Sequence, residues 1–302
     1  MHTVRRIGRG WGGSKVNLNY DVFSVDPKPI PSQIPGFEQA VGQATWPPST
    51  STLIWSDDGG ALLVDCLITT TEAAALATWI RSHGRELGYV YITHPHADHL
   101  LGLPAVLDAY PNAKPVALAE SISAMETQVS PAYLNVWSAY FPGQLPDRPV
   151  VPTPLSSPRI PIGDEVATVV LVGTTDSDLS TVLHVPALGL VVSGDVVYNQ
   201  THMWLRRSTP ESRASWKRAL DAVAQLDADK IIAGHRHPQA ADDDAQRQIE
   251  ESRQYIADFE AALARSSAPL ELIDRMMAIH GDRANPYTLW VAAHDLLGET
   301  PA

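Results

Sequence analysis

The sequence predicts an α/β protein in which stacked sheets are covered by helices on their outer faces. Two observations carry that expectation. Short β-prone runs alternate with helical patterns from residue 51 to 128, and the same strand-then-helix grammar returns from 166 to 265. The chain has 302 residues, 44% hydrophobic and 19% charged, enough for one large domain or two small ones.

The first fifty residues are rich in proline and glycine (Pro27, Pro29, Pro31, Pro35, Pro47, Pro48) and predict an irregular arm with one short strand. Ser51 to Trp55 and Ala61 to Leu67 are β-prone runs joined by Ser56-Asp57-Asp58-Gly59-Gly60. That is a hairpin signal, because Asp and Gly accept positive φ. Thr69, with Glu72 three residues on, then caps a helix whose Leu76, Trp79 and Ile80 share one face, and Gly84 closes it. Tyr89 to Thr93 is a strand. A helix near Leu103 to Tyr110, a strand at Val116 to Ala119 and a helix near Ser121 to Gln128 follow.

Residues 131–162 mix Tyr133, Trp137, Tyr140 and Phe141 with many prolines. They read either as a lid loop or as a surface excursion held by buried aromatics. Strands are expected at Val166–Val172, Thr181–Val185, Leu190–Ser193 and Lys230–Ala233. Thr209-Pro210 opens a helix bearing Trp216, Leu220 and Val223. A long charged helix over 241–265 and two more over 268–298 complete the chain, placed on the same domain or against a second subunit in a homodimer.

Composition narrows the partners. Thirty-four acidic residues against 22 basic ones give a net charge of −12, which disfavours nucleic acid and anionic membrane surfaces as partners. Cys66 is the only cysteine, so no intramolecular disulfide and no cysteine-rich zinc site can form. Following Asp65 on a strand, it points into the core. The N-terminus has no apolar stretch behind its positive charges and no apolar run of about 18 residues occurs, so a cytoplasmic location is expected.

The chemistry concentrates in Thr93-His94-Pro95-His96-Ala97-Asp98-His99, four ligand-type side chains within six residues at a strand end. On an extended segment His94 and His96 face one point, and a tight turn then sends Asp98 and His99 toward a second. Imidazole and carboxylate donors suit Zn²⁺ or another first-row metal.

This H-x-H-x-D-H run after a strand resembles the signature of the metallo-β-lactamase superfamily. The resemblance runs over residues 50–240 and implies an αββα four-layer sandwich with up to two metal ions in the cleft between the sheets. It assigns Asp65 to bracing the His loop, Asp195 to bridging two metals, and His235 to the second metal. The family normally adds a histidine in a Gly-His-Thr turn. Here that stretch reads Val172-Gly173-Thr174-Thr175-Asp176, with Thr174 in the histidine's place. Either the first site binds weakly, or Asp176, His202 or His237 substitutes, or the protein is a metal-poor binding relative.

An ion in such a centre lowers the pKa of its water toward about 7, giving metal-bound hydroxide at neutral pH, and polarises the scissile group. Asp98 or Asp195 can take the proton. Tyr198, three residues after Asp195, resembles the phenol of metallo-β-lactamase-fold N-acyl-homoserine lactonases and would stabilise an oxyanion. The expected function is therefore hydrolysis of a small ester, lactone or thioester with one or two zinc ions. β-Lactam hydrolysis, RNA phosphodiester hydrolysis, iron-dependent persulfide oxidation and non-catalytic binding are the rivals.

Overall fold

The computed structural model describes residues 18–57 and 59–298. Its first half contains strands β1 (Leu18–Val25), β2 (Lys28–Pro29), β3 (Thr45–Trp46), β4 (Ser49–Ser56), β5 (Ala61–Val64), β6 (Leu87–Ile92) and β7 (Lys114–Ala117). Among them lie helices α1 (Phe37–Ala40), α2 (Thr70–Ser82), α3 (Ala97–Leu100) and α4 (Leu103–Ala109). Then come α5 (Ile122–Gln128), α6 (Pro131–Tyr140) and strands β8 (Thr153–Pro154), β9 (Arg159–Ile162), β10 (Glu165–Gly173), β11 (Ser180–Val185) and β12 (Leu190–Gly194). Helix α7 (Pro210–Ala224), strand β13 (Lys230–Ala233) and helices α8 (Ala245–Leu263), α9 (Pro269–His280) and α10 (Pro286–Leu297) finish the order.

Six strands form one sheet in the order β1-β4-β5-β6-β7-β8, and five form another in the order β13-β12-β11-β10-β9. Side-chain alternation explains how they stack. Ile54, Leu62, Val64 and Tyr91 of the first sheet meet Ala167, Leu183, Val192 and Ile232 of the second in one buried cluster. The opposite faces bury Leu53, Leu63 and Val90 against α2 and α4, and Val182, Val191 and Ile231 against α7 and α8. Helix, sheet, sheet, helix is the resulting order of layers, with the C-terminal helices continuous with the second outer core.

Several boundaries follow from local chemistry. The Thr69 hydroxyl accepts from the Glu72 backbone N–H and the Glu72 carboxylate accepts from the Thr69 backbone N–H, a complete capping box for α2. Of the hairpin turn read from the sequence, Asp58 lies outside the described residues, while Gly59 and Gly60 take positive φ as the turn requires. Cys66 is free and fully buried beside Leu63 and Leu67. No described helix is long and apolar enough to cross a membrane.

Two regions differ from the sequence reading. From residue 18 onward the N-terminal stretch is more regular than its prolines suggest, since β1 pairs with β4 over eight residues in antiparallel register. The 131–162 segment is not one loop. It contains α6, which buries no residue fully, and then β8 and β9.

His202 sits in the C-terminal core. Its Nδ1 lies 2.9 Å from the Tyr255 hydroxyl, and burial, with the positive charge of Arg283 and nearby His280, pushes its pKa down to about 3. The unfolded value is near 6.5, so neutral His202 contributes stability in full above that pH and loses it as pH falls toward 3. Between about pH 6.5 and about pH 5 the loss is about 2 kcal/mol. Urea unfolding of His202→Gln is expected to lack most of this acid dependence; a dependence equal to that of the parent protein would disprove it.

Candidate metal centre

Every ligand-type residue of the site lies just past a strand, at one end of the paired sheets. Asp65 follows β5, the His cluster follows β6, Asp176 follows β10, Asp195 follows β12 and His235 follows β13. Close backbone approach demands glycine at two of these corners. A Cβ at Gly234 would come 2.5 Å from Asp195 Oδ1, and one at Gly194, where φ is +49°, would come 2.6 Å from Thr93 Oγ1.

The side chains converge into two groups, each with its donor atoms within 4.8 Å of one another. One is His94, His96, Asp176 and Asp195; the other is Asp98, His99 and His235. Asp195 joins them: its Oδ1 is 3.3 Å from His99 Nε2, and its Oδ2 is 3.2 Å from His235 Nε2 and 3.8 Å from His94 Nε2. His96 Nδ1 stands 3.6 Å from Asp176 Oδ2.

Outer partners aim the inner atoms. Asp65 accepts from the Thr93 backbone N–H at 2.9 Å and from the Thr93 hydroxyl, and it lies 2.8 Å from His99 Nδ1. The carboxylate holds the Nδ1 proton and leaves His99 Nε2 facing the centre. Thr93 Oγ1 does the same for His94 Nδ1 at 3.0 Å, as does the Pro48 carbonyl for His235 Nδ1 at 3.0 Å. Asp65 itself has φ +61°, a conformation that Asp tolerates better than most residues.

The donor set fits a cation. His94 Nε2, His99 Nε2 and Asp195 Oδ1 are buried without a hydrogen-bond partner, and such groups are costly unless something satisfies them. Burial pushes His94 and His96 below the usual imidazole range. Burial opposes protonation of His99 and His235 as well, but Asp195, with Asp65 and Asp98 beside His99 and Asp98 beside His235, outweighs it. His99 rises well above its usual range and His235 rises to about 10. Divalent cations would take over the counter-charge that those protons supply.

Asp176, not Thr174, completes the first group. Strand β10 ends at Gly173, whose φ of +98° starts the turn, and the turn beyond it carries Asp176 to the centre. Thr174 bonds instead to the Asp178 carbonyl. Thr175 donates to Asp176 Oδ1 at 3.0 Å, and the Asp176 side chain is fully buried. Burial and the nearby Asp195 push its carboxyl well above the usual range. His202 and His237 are not brought in. The first bonds Tyr255, and Nδ1 of the second accepts from the Gln239 N–H.

Tyr198 lies on the floor, its hydroxyl donating toward Asp195 Oδ2 at 3.1 Å and lying 3.4 Å from Asp176 Oδ2. Burial, then the charges of Asp195 and Asp176, push the phenol well above 10, so it stays a donor. Above the floor opens a cavity of about 300 Å³ walled by Trp46, Tyr133, Trp137, Tyr140 and Trp204.

Trp46 was not visible from the sequence. Its indole N–H donates to Asp98 Oδ2 at 3.1 Å. The only hint was a tryptophan just ahead of Pro47-Pro48.

Residues 44–235, more than half of the chain, match the family model described as the metallo-beta-lactamase superfamily. The chain belongs to that superfamily. Solved structures share the fold at low identity. A beta-lactamase domain protein from Burkholderia ambifaria is 16% identical with a TM-score of 0.62, over 96% of this chain and 86% of that one. A metallo-beta-lactamase family protein from Thermus thermophilus is 19% identical with a TM-score of 0.61, over 92% of each chain. The metallo-beta-lactamase FIM-1 from Pseudomonas aeruginosa, in its mono-zinc form, is 18% identical with a TM-score of 0.54, over 81% of this chain and 93% of that one. No curated protein matches the chain.

Proposed function

We propose that this metallo-beta-lactamase-fold hydrolase binds two zinc ions and cleaves an ester, lactone or thioester of a small molecule. The observation that carries the reading is Asp176. By standing with His94, His96 and Asp195 it makes the first group whole, so each group offers two imidazoles and a carboxylate of its own besides the shared Asp195. Zinc accepts nitrogen and carboxylate donors in such sets. When bound, the ions supply an activated water and polarise the scissile carbonyl.

The chain's own residues do the rest. The aromatic walls exclude water and receive an apolar acyl portion, which favours a carbon ester over a phosphodiester. Asp98 takes the proton released on attack. Tyr198, protonated throughout the neutral range, passes its hydrogen bond from Asp195 to the oxygen on which negative charge develops.

Elemental analysis of protein purified without chelator, with assays on an acyl lactone, an aryl ester, an acyl thioester and a penicillin, tests the reading. Two zinc ions per chain and chelator-sensitive cleavage of one of the first three are expected. Cleavage of the penicillin alone would replace the substrate class, and neither metal nor hydrolysis would overturn the proposal. Tyr198→Phe is expected to lower kcat by about 10²-fold with metal content unchanged. An unaltered kcat would remove the phenol from the mechanism.

A further inference from the structure

We infer that Trp46 is a positioning residue for the second ion, its indole N–H holding the Asp98 carboxylate in the pose that ligation requires. The inference rests on the reading that the centre holds metal. An indole can only donate, so the direction of its 3.1 Å bond to Asp98 Oδ2 is fixed, whereas the contact of the same oxygen with His235 Nε2 at 3.3 Å depends on where the imidazole proton lies. Once His235 Nε2 turns its lone pair to an ion, Trp46 is the only one of these two groups still donating to Asp98. A carboxylate turns easily about its last torsion, so the N–H decides which lone pairs face inward.

The indole is itself held rigidly. It is 7% exposed, and the rings of Trp137, Phe141, Tyr140 and Trp204 lie 5.3, 5.7, 6.0 and 6.4 Å away. Its backbone belongs to a strap over residues 45–50. Thr45 Oγ1 donates to Asn285 Oδ1 at 3.0 Å, the Pro48 carbonyl takes His235 Nδ1, and the Thr50 N–H bonds the Gly234 carbonyl at 2.9 Å. One strap thus orients two of the three donors of the second group by separate bonds. His99, the third, is oriented by Asp65. Nothing in the strap touches His94, His96 or Asp176 by a hydrogen bond among the described residues, so its direct bonds reach only the second group.

Zinc titration against a competing chelator tests this on the full chain, comparing the parent with Trp46→Phe and with 3-benzothienylalanine at position 46. The latter keeps the bicyclic shape and lacks only the N–H, so it remains informative if the phenylalanine variant does not fold. Loss of an outer partner of a ligand costs about 10- to 100-fold in metal affinity. Both variants are expected to bind the second ion about 10-fold or more weakly and the first within about twofold of the parent. Stepwise affinities unchanged from the parent for both ions in a folded variant would overturn the inference while leaving the two-zinc reading intact. A parent protein that takes up no zinc would overturn both.

Discussion

Asp176→Ala is expected to bind one zinc ion instead of two and to lose turnover by at least about 10²-fold. Removing a ligand should exceed the roughly 10- to 100-fold that loss of an outer partner costs. The first group would retain His94 and His96 with only the shared Asp195 as carboxylate. Asp176→His keeps a donor at the same point and is expected to retain both ions, with a rate between the two. Thr174→His is expected to change little, because that side chain is turned toward the Asp178 carbonyl. Elemental analysis with kcat measurements on the three variants decides the matter. Two ions and an unaltered rate in Asp176→Ala, or a marked gain in metal affinity from Thr174→His, would show that the first ion is held otherwise.

The second large effect is expected at Asp65. Its carboxylate takes the Thr93 N–H and hydroxyl and lies against His99 Nδ1, all buried, with its own backbone at φ +61°. Asp65→Ala removes every one of these partners and places a residue poorly suited to positive φ, so a loss of about 3–5 kcal/mol is expected on unfolding. Asp65→Asn is the sharper test. Asparagine tolerates the backbone and its oxygen can still accept from Thr93, but its amide nitrogen would face His99 Nδ1 and donate to it. The imidazole proton then moves to Nε2, where it blocks ligation. The asparagine variant is expected to unfold within about 2 kcal/mol of the parent yet bind the second ion about 10- to 100-fold more weakly. Equal zinc affinity would mean that the tautomer of His99 is not set from this side.

Most of the layered fold was legible because each element is decided locally. The Thr69–Glu72 capping box, the Pro210 helix start and the strand at Lys230–Ala233 all lie where the sequence places them. The cluster His94, His96, Asp98, His99 was legible for the same reason, since four donors on one short turn cannot avoid sharing a neighbourhood. Asp195 and His235 needed the family resemblance, because a Gly-Asp or Gly-His pair after a strand is common in isolation.

What the sequence could not decide depends on turn geometry and on long-range contact. Thr174 and Asp176 both lie in the turn after β10, where the fold of the turn and not strand alternation decides which side chain reaches the centre: Thr174 bonds the Asp178 carbonyl and Asp176 stands beside His96. His202 looked close enough to Asp195 to serve, but packing of α8 draws it to Tyr255. Trp46 belongs to a proline-rich stretch whose partners lie 52 residues away at Asp98 and 240 away at Asn285, a separation no local pattern encodes.

That separation has a consequence during synthesis. A ribosome delivers the strap early, yet His235 emerges nearly two hundred residues later and the Asn285 that anchors Thr45 later still. Local helices and hairpins can form as the chain lengthens, but closing loops of this span must wait for their far ends. A second ion would therefore have no complete donor set until His235 is out of the exit tunnel, and Thr45 would gain its anchor only when Asn285 follows. A nascent chain arrested before residue 235 would carry the His94–His99 turn but lack the third donor of the second group, so that group is completed only once His235 has emerged.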